Sequence, residues 1–408
     1  MACSSKITVL GIEQASVQKG INLVGTGDLT HPEWLKELKE NLEPAEPGLY
    51  KVKGSPGGTR FILSGEVSTV FNKDGKQRRI HHLMLLPSFE AAYAVNERLS
   101  KHGDLMSDGR PQLSMSAAEL VEEIFNSEAD AFVLPAHAWT PYFGVFGALT
   151  GFDSMKEAYE DQEKHIHALE SGLSSDPAMN WRLSMIDKYS IISNSDMHSL
   201  DKLGREANIF DVESGKLSYK SITGAMKEKG SGVLKSTIEF YPEEGKYHYD
   251  GHRQCGFSVD PEKSQLKKCP VCARSLVIGV LHRINDLADR PPGFVPKGAV
   301  PFVKLVPLRE VIANATRKGV YSVAVGRTYS DLISSIGTEL DILMNANDED
   351  IAAIAGPEIS QAIANMRNGN ITIKPGYAGV FGEIDLLNRT KREDGTAGQR
   401  SLFTSGNK

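Results

Sequence analysis

The sequence predicts an α/β protein: short strands buried on both faces alternate with amphipathic helices, and a cysteine-bearing segment and a mainly helical region follow. Three observations carry that prediction. Apolar runs of strand length recur through the first two hundred residues, most of them ending in a polar or ionisable residue and separated by helix-like stretches. Three of the four cysteines crowd between positions 255 and 272, and beyond about residue 300 the apolar spacing becomes helical. A length of 408 residues with 40% hydrophobic and 24% charged content suits two or three globular domains and excludes a disordered or fibrous chain.

The strand-like runs are INLVGTGD (21–28), FILSGEVST (61–69), HHLMLLPS (81–88), DAFVLPAH (130–137), HALESGLSSD (167–176) and YSIISNSDMH (189–198). Between them lie amphipathic segments such as AAYAVNERLSKH (91–102) and SAAELVEEIFNSE (116–128). In the second, Ser116 and Glu119 have the spacing of a capping box. Such alternation indicates a parallel sheet or barrel, and in an α/β barrel chemistry collects where the strand ends converge. Here those ends carry metal-ligand types: Asp28 and His31 after the first run, Glu66 in the second, His81 and His82 opening the third, His137 ending the fourth, Asp196 and His198 ending the sixth. Imidazole nitrogens mixed with carboxylate oxygens suit Zn²⁺, Mn²⁺ or Fe²⁺. Asp196 and His198 are two apart on an extended stretch, so both can face one side. Singly, each has a plain structural explanation: a core histidine at 137, a turn-capping aspartate at 28 or 196, a solvated edge charge at 66. Their coincidence at the ends of five strands favours the metal reading. The pair His165 and His167 follows a charged helix and reads as a solvated helix end.

A net charge of −6 supplies no general basic field, so contact with nucleic acid has to come from local patches. No apolar run approaches a membrane span, and MACSSKITVLGIEQ lacks the basic start and unbroken apolar core of a signal peptide. The expected location is cytoplasmic, where clustered cysteines serve a metal rather than disulfides. His252 with Cys255 and Cys269 with Cys272 form an H-x-x-C and C-x-x-C set that can hold one structural Zn²⁺; His248 and His282 are within reach as alternative fourth ligands. No thioredoxin-like unit accompanies the C-x-x-C, which argues against a redox role, and Cys3 reads as an isolated thiol. Lys263, Lys267, Lys268, Arg274 and Arg283 surround the cysteines, as a solvated face or as a surface for phosphates. Farther on, LREVIANAT, SDLISSIGTELDILMN and EISQAIANMRNG read as helices, PGYAGVFG as a turn, and the last stretch as a polar, disordered tail.

In this order GTGDLTHPEW, SGEVST, HHLMLL, LPAHAWTPYFGVFG, ESGLSSDPAMNW and SNSDMHS resemble the successive motifs of a polymerase-and-histidinol-phosphatase (PHP) domain. With YDGHRQC, CPVC, GVLHRINDLADRP and PGYAGVFG, essentially the whole chain resembles the endonuclease Q family of that superfamily. The resemblance implies a distorted (β/α)₇ barrel with a cluster of up to three divalent metals (Zn, Mn or Mg). It also implies a DNA repair endonuclease that nicks on the 5′ side of deaminated bases (uracil, hypoxanthine, xanthine) and abasic sites. The implied organisation is a PHP phosphoesterase domain over 1–230, a zinc knuckle over 240–290, a helical domain over 295–388 and a tail over 389–408. The implied metal ligands are Asp28 or His31, Glu66, His82, His137, Asp196 and His198, with Glu66, Asp196 and His198 central to catalysis. His82 is preferred to His81 because the family's histidine directly precedes the LxLL-like run. Trp139, Tyr142, Phe143 and Phe146, directly after His137, are candidates for a stacking wall for a base taken out of the duplex, with ordinary core packing as the alternative, and Arg205 is a candidate phosphate contact or a surface ion pair. Family members begin with a strand carrying D-x-H-x-H, whereas this sequence starts after it and shows six strand-like runs against seven. The expectation is a shortened gene start, or else a shortened protein with a weaker metal centre. A phosphoesterase acting on a small phosphorylated metabolite and a non-catalytic DNA-binding remnant are the alternative readings.

Overall fold

The structure, a computed structural model, describes residues 7–107, 109–264 and 266–389. Cys3 and, beyond Arg389, the expected tail lie outside these residues. The first run forms β1 (Leu23–Gly25), parallel to β2 (Arg60–Lys73) with Leu23 opposite Arg60. From β2 the chain doubles straight back into β3 (Lys76–Leu86) through Asp74 and Gly75, whose φ angles of 53° and 72° are those of a two-residue hairpin turn. β2 and β3 are therefore antiparallel, with Lys73 opposite Lys76 and Leu63 opposite Leu86. β4 (Phe132–Pro135) is antiparallel to β3. This corrects the expectation of uniformly parallel strands, because an Asp-Gly pair closes a hairpin without a crossover helix.

Parallel pairing returns at β5 (Ala168–Glu170) and β6 (Ser190–Ile192). Then β7 (Ala207–Phe210) runs antiparallel to β8 (Leu234–Glu239), which is parallel to β9 (Phe302–Lys304). Among the described residues the strands bond into a seven-stranded sheet, a three-stranded sheet and three two-stranded sheets rather than one continuous ring. All residues of β4 and β5 are buried, as their unbroken apolar runs require.

Helix Ala117–Ser127 starts with the expected capping box: Ser116 Oγ accepts from the Glu119 amide at 3.2 Å, and Glu119 Oε2 accepts from the Ser116 amide at 2.7 Å. Its Leu120, Val121 and Ile124 are fully buried in a core that runs from Val9 to Leu203 and also takes in Val280 and Ile284. Helix Val280–Leu287, which follows the cysteines, is thus anchored in the first core. A second core spans Ile238 to Leu386 around five helices, Leu308–Thr316, Val323–Ser335, Glu339–Met344, Asp348–Ala355 and Pro357–Arg367. The two regions are tied by a buried ion pair, Lys19 Nζ to Glu339 Oε2 at 2.9 Å, and Tyr329 donates its hydroxyl proton to the same carboxylate. Among the described residues no helix is long and apolar enough to cross a membrane.

Candidate metal centre

Strand parity decides which side chains meet. Ser68 stands opposite His81, and residues directly opposite in an antiparallel pair share a face. Glu66, two residues along from Ser68, therefore projects to the same side as His81. His82 pairs with Val67 and faces away; its ring is fully buried edge-on to Tyr159, and among the described residues neither ring nitrogen makes a hydrogen bond of normal geometry. The expectation that His82 rather than His81 joins the cluster is corrected on this ground.

Just past the end of β4, His137 completes the group. Glu66 Oε1 lies 3.0 Å from His81 Nδ1 and 3.2 Å from His137 Nε2, and the two imidazole nitrogens are 3.0 Å apart. One ligand atom from each residue falls within 4.8 Å of the others, the density of donors that a metal ion needs. Thr140 Oγ1 sits 3.0 Å from His137 Nδ1 and orients the ring from behind. Glu170, at the end of β5, accepts from the His137 amide at 2.6 Å and from Asn194 Nδ2 at 2.8 Å. Gly172 passes so close that a Cβ there would come within 2.6 Å of the His137 Cβ.

Backbone strain gathers at the same place. Asp28, His137 and Asp196 have φ of 45°, 30° and 42°, a conformation that costs on the order of 1–3 kcal/mol per residue and persists where surrounding structure enforces it. The electrostatics fit a site built for a cation. Burial alone would raise Glu66, but hydrogen bonds from His137 and His81 outweigh it and hold the carboxyl well below its usual range. Burial pushes His81 down to about 4, against the pull of Glu66. Burial likewise lifts Asp28, with Glu66 adding to it, and lifts Glu170 to about 7.

Two residues escaped the sequence reading. Glu170 obeys the same strand-end rule as the others, in HALESG, and was legible. Arg110 was not: its Nη2 donates to Asp196 Oδ1 at 2.6 Å, and its Nε approaches Glu66 Oε1 to 2.6 Å as an ion pair, off the hydrogen-bonding direction. No local pattern marks that long-range contact. Asp28, Glu66, His81, Arg110, Asp196 and His198 all line a cavity of about 1030 Å³, whose apolar walls include Leu23 of β1 and Phe210 of β7. His198 is exposed, with Nδ1 3.0 Å from the Asp196 carbonyl oxygen, and His31 stands at the N-cap position of helix Pro32–Asn41, without a side-chain capping bond, outside the Glu66–His81–His137 group. His165 stacks on Phe125, at 4.3 Å between centroids, and belongs to neither cluster.

The second cluster forms as the spacing predicted. Donor atoms of His252, Cys255, Cys269 and Cys272 lie within 4.8 Å of one another. Ala273, at φ 58°, turns the chain after Cys272 so that its amide donates to the Cys269 carbonyl at 2.8 Å. Neither alternative fourth ligand takes part: His282 Nδ1 is held by Asp250 Oδ2 at 2.5 Å, and His248 is buried beside Tyr249.

With this geometry, the chain superposes on the crystal structure of a lesion-specific endonuclease Q from Pyrococcus furiosus with a TM-score of 0.82. The two are 33% identical, over 95% of this chain and 93% of that one. The chain belongs to the endonuclease Q family. An endonuclease Q in complex with a 27-mer duplex bearing an abasic lesion at its active site is equally similar, with a TM-score of 0.81 and 33% identity over 97% of this chain and 96% of that one. Bacillus subtilis YqxK is 28% identical over 91% of this chain and 90% of its own length. Methanocaldococcus jannaschii MJ0043 is 31% identical over 61% of this chain, which spans 31% of that longer relative. Residues 307–370 match the family model of the MJ0043 C-terminal domain.

In this endonuclease Q family member the residues expected to meet DNA are unevenly placed. Trp139 is only 1% exposed; it donates Nε1–H to Asn180 Oδ1 at 2.7 Å and packs on Phe146, so it is a core residue. Tyr142 is exposed and meets Tyr247 edge-on at 6.0 Å, while Phe143 tilts over His81 at 4.5 Å. Arg205 donates from Nε and Nη2 to the Ser195 and Asp196 carbonyl oxygens, at 2.7 and 3.0 Å, and so shapes the Asp196 loop. Arg283 likewise turns from the cysteine cluster to the Phe146 and Phe152 carbonyls and the Asp153 carboxylate.

Proposed function

We propose that this chain is a metal-dependent DNA repair endonuclease that cleaves the phosphodiester on the 5′ side of a deaminated base (uracil, hypoxanthine or xanthine) or an abasic site. The observation that carries this is the convergence of Glu66, His81 and His137 on one point, with Asp28, Asp196 and His198 along the same cavity. The donor set fits a divalent ion: one carboxylate oxygen faces two imidazole nitrogens at 3.0 and 3.2 Å. Zn²⁺, Mn²⁺ or Mg²⁺ bound there supplies a water of lowered pKa and neutralises charge growing on the phosphate. The protein's own part is positional. Thr140 and Glu170 fix the ring and backbone of His137, and Arg205 fixes the Asp196 loop. Half-buried Phe143, tilted over His81, and exposed Tyr142 offer aromatic faces to a base leaving the stack. His252, Cys255, Cys269 and Cys272 hold a structural Zn²⁺ in this reading.

Substituting Asp196→Asn tests the assignment, since it removes the charge of a ligand candidate at nearly constant shape. Mn²⁺- or Mg²⁺-dependent nicking should fall by at least about a hundredfold while duplex binding stays near wild type. Cleavage at the wild-type rate would take Asp196 out of the mechanism.

A further inference from the structure

Glu66 Oε1 is surrounded by three nitrogen atoms: His81 Nδ1 at 3.0 Å, His137 Nε2 at 3.2 Å and Arg110 Nε at 2.6 Å. The same guanidinium donates from Nη2 to Asp196 Oδ1 at 2.6 Å, bridging a carboxylate of β2 to one beyond β6. Its position is built into the fold. The short strand Gln112–Leu113 pairs with β2 at Ser68, and the Ser68 amide donates to the Pro111 carbonyl at 2.9 Å. The chain next to Arg110 is thereby fixed two residues from Glu66, and the side chain, 25% exposed, opens on the cavity.

A guanidinium and a divalent ion cannot both be first partner to one carboxylate oxygen at contact distance without strong mutual repulsion. An arginine is also the side chain whose planar fork suits a phosphate diester. We propose that Arg110 is a tethered counter-cation of the metal centre. Its guanidinium pairs with Glu66 and Asp196 in competition with a divalent ion. When a divalent ion loads, the guanidinium leaves Glu66 and is presented to a phosphate of the DNA at the cavity mouth. This rests on the metal-centre reading above and adds to it a competing cation and a substrate contact.

The test is Mn²⁺ titration by calorimetry on wild-type protein, Arg110→Gln, Arg110→Lys and His81→Ala, with DNA affinity measured across salt concentrations. Arg110→Gln should bind Mn²⁺ roughly tenfold more tightly than wild type, because the competitor is gone, with Arg110→Lys between them. The same Arg110→Gln variant, loaded with Mn²⁺, should show a salt slope of DNA binding lower by about one and a raised KM for nicking. Mn²⁺ binding that Arg110→Gln leaves unchanged or weakens, while His81→Ala abolishes it, would overturn the Arg110 assignment alone. Mn²⁺ binding indifferent to His81→Ala would overturn the metal centre and Arg110 together. Arg110→Lys keeps a cation in place, so if Arg110→Gln proves unstable the Lys variant's Mn²⁺ affinity decides: tighter than wild type supports the proposal, equal or weaker refutes it.

Discussion

Neighbouring histidines on β3 have opposite fates, because a strand sends successive side chains to opposite faces. His81 meets Glu66 and His137, whereas His82 sits in the core with neither ring nitrogen in a hydrogen bond of normal geometry among the described residues, and burial pushes it down to about 3. A buried polar ring without partners destabilises the fold, so His82→Leu should leave Mn²⁺ binding intact and raise or preserve the melting temperature. His81→Ala should lose Mn²⁺ binding at little cost in stability. Calorimetry and thermal melts on the two variants check this, and the reverse pattern would restore His82 as the ligand. The sequence showed that a histidine was needed near position 81, since residue types at strand ends are legible. It did not show which of the two, because the pairing of Ser68 with His81 is set by the Asp74-Gly75 turn several residues away. Arg110 lay beyond reach for a related reason: its partners are 44 and 86 positions distant in the chain, and loop arginines are commonly solvated.

At the level of elements, the cysteine segment was the most legible because ligand spacing and ligand geometry coincide there. Cys269→Ser and Cys272→Ser should each release one equivalent of zinc and increase hydrogen exchange across residues 247–283, since binding energy at such a site is folding energy. Unchanged zinc content in both would refute a structural zinc. Strand β8 carries a different device that no motif signals. Burial pushes Glu239 up to about 7, against hydrogen bonds from Thr237 at 2.5 Å and Ser171 at 2.8 Å. The folded state therefore favours the protonated carboxyl. Its contribution is fully present below the ordinary carboxylate pKa of about 4.5 and is lost as pH rises through about 7. Urea unfolding of the metal-free protein at a series of pH values should show that loss, and Glu239→Gln should flatten it by roughly 1–3 kcal/mol between pH 5 and 8. An unaltered pH slope in the variant would move the effect off Glu239 and onto another raised carboxyl, such as its buried neighbour Glu206.

Across the whole molecule, the α/β start and the helical end were readable from periodicity, while the way they join was not. Val280 and Ile284 pack into the first core, and Lys19 reaches Glu339 of the second region; both contacts arise from tertiary packing that local spacing does not encode. The antiparallel β2–β3 hairpin shows the same limit from another side: its Asp-Gly turn was present in the sequence, but the parallel alternation around it pointed elsewhere. What these joints achieve is to bring β2, β3, β4 and the loop beyond β6 together, so that Glu66, His81 and Asp196 line one cavity and His137 meets Glu66 and His81 beside it. The activity proposed for this cavity is metal-dependent scission next to a lesion. Its most direct test is to map nicks on an end-labelled duplex with a single deoxyuridine or abasic site, using the full chain with and without added Mn²⁺. One metal-dependent nick on the 5′ side of the lesion and an intact undamaged duplex are expected. Nicking that persists in chelator, or that falls equally on undamaged DNA, would contradict it.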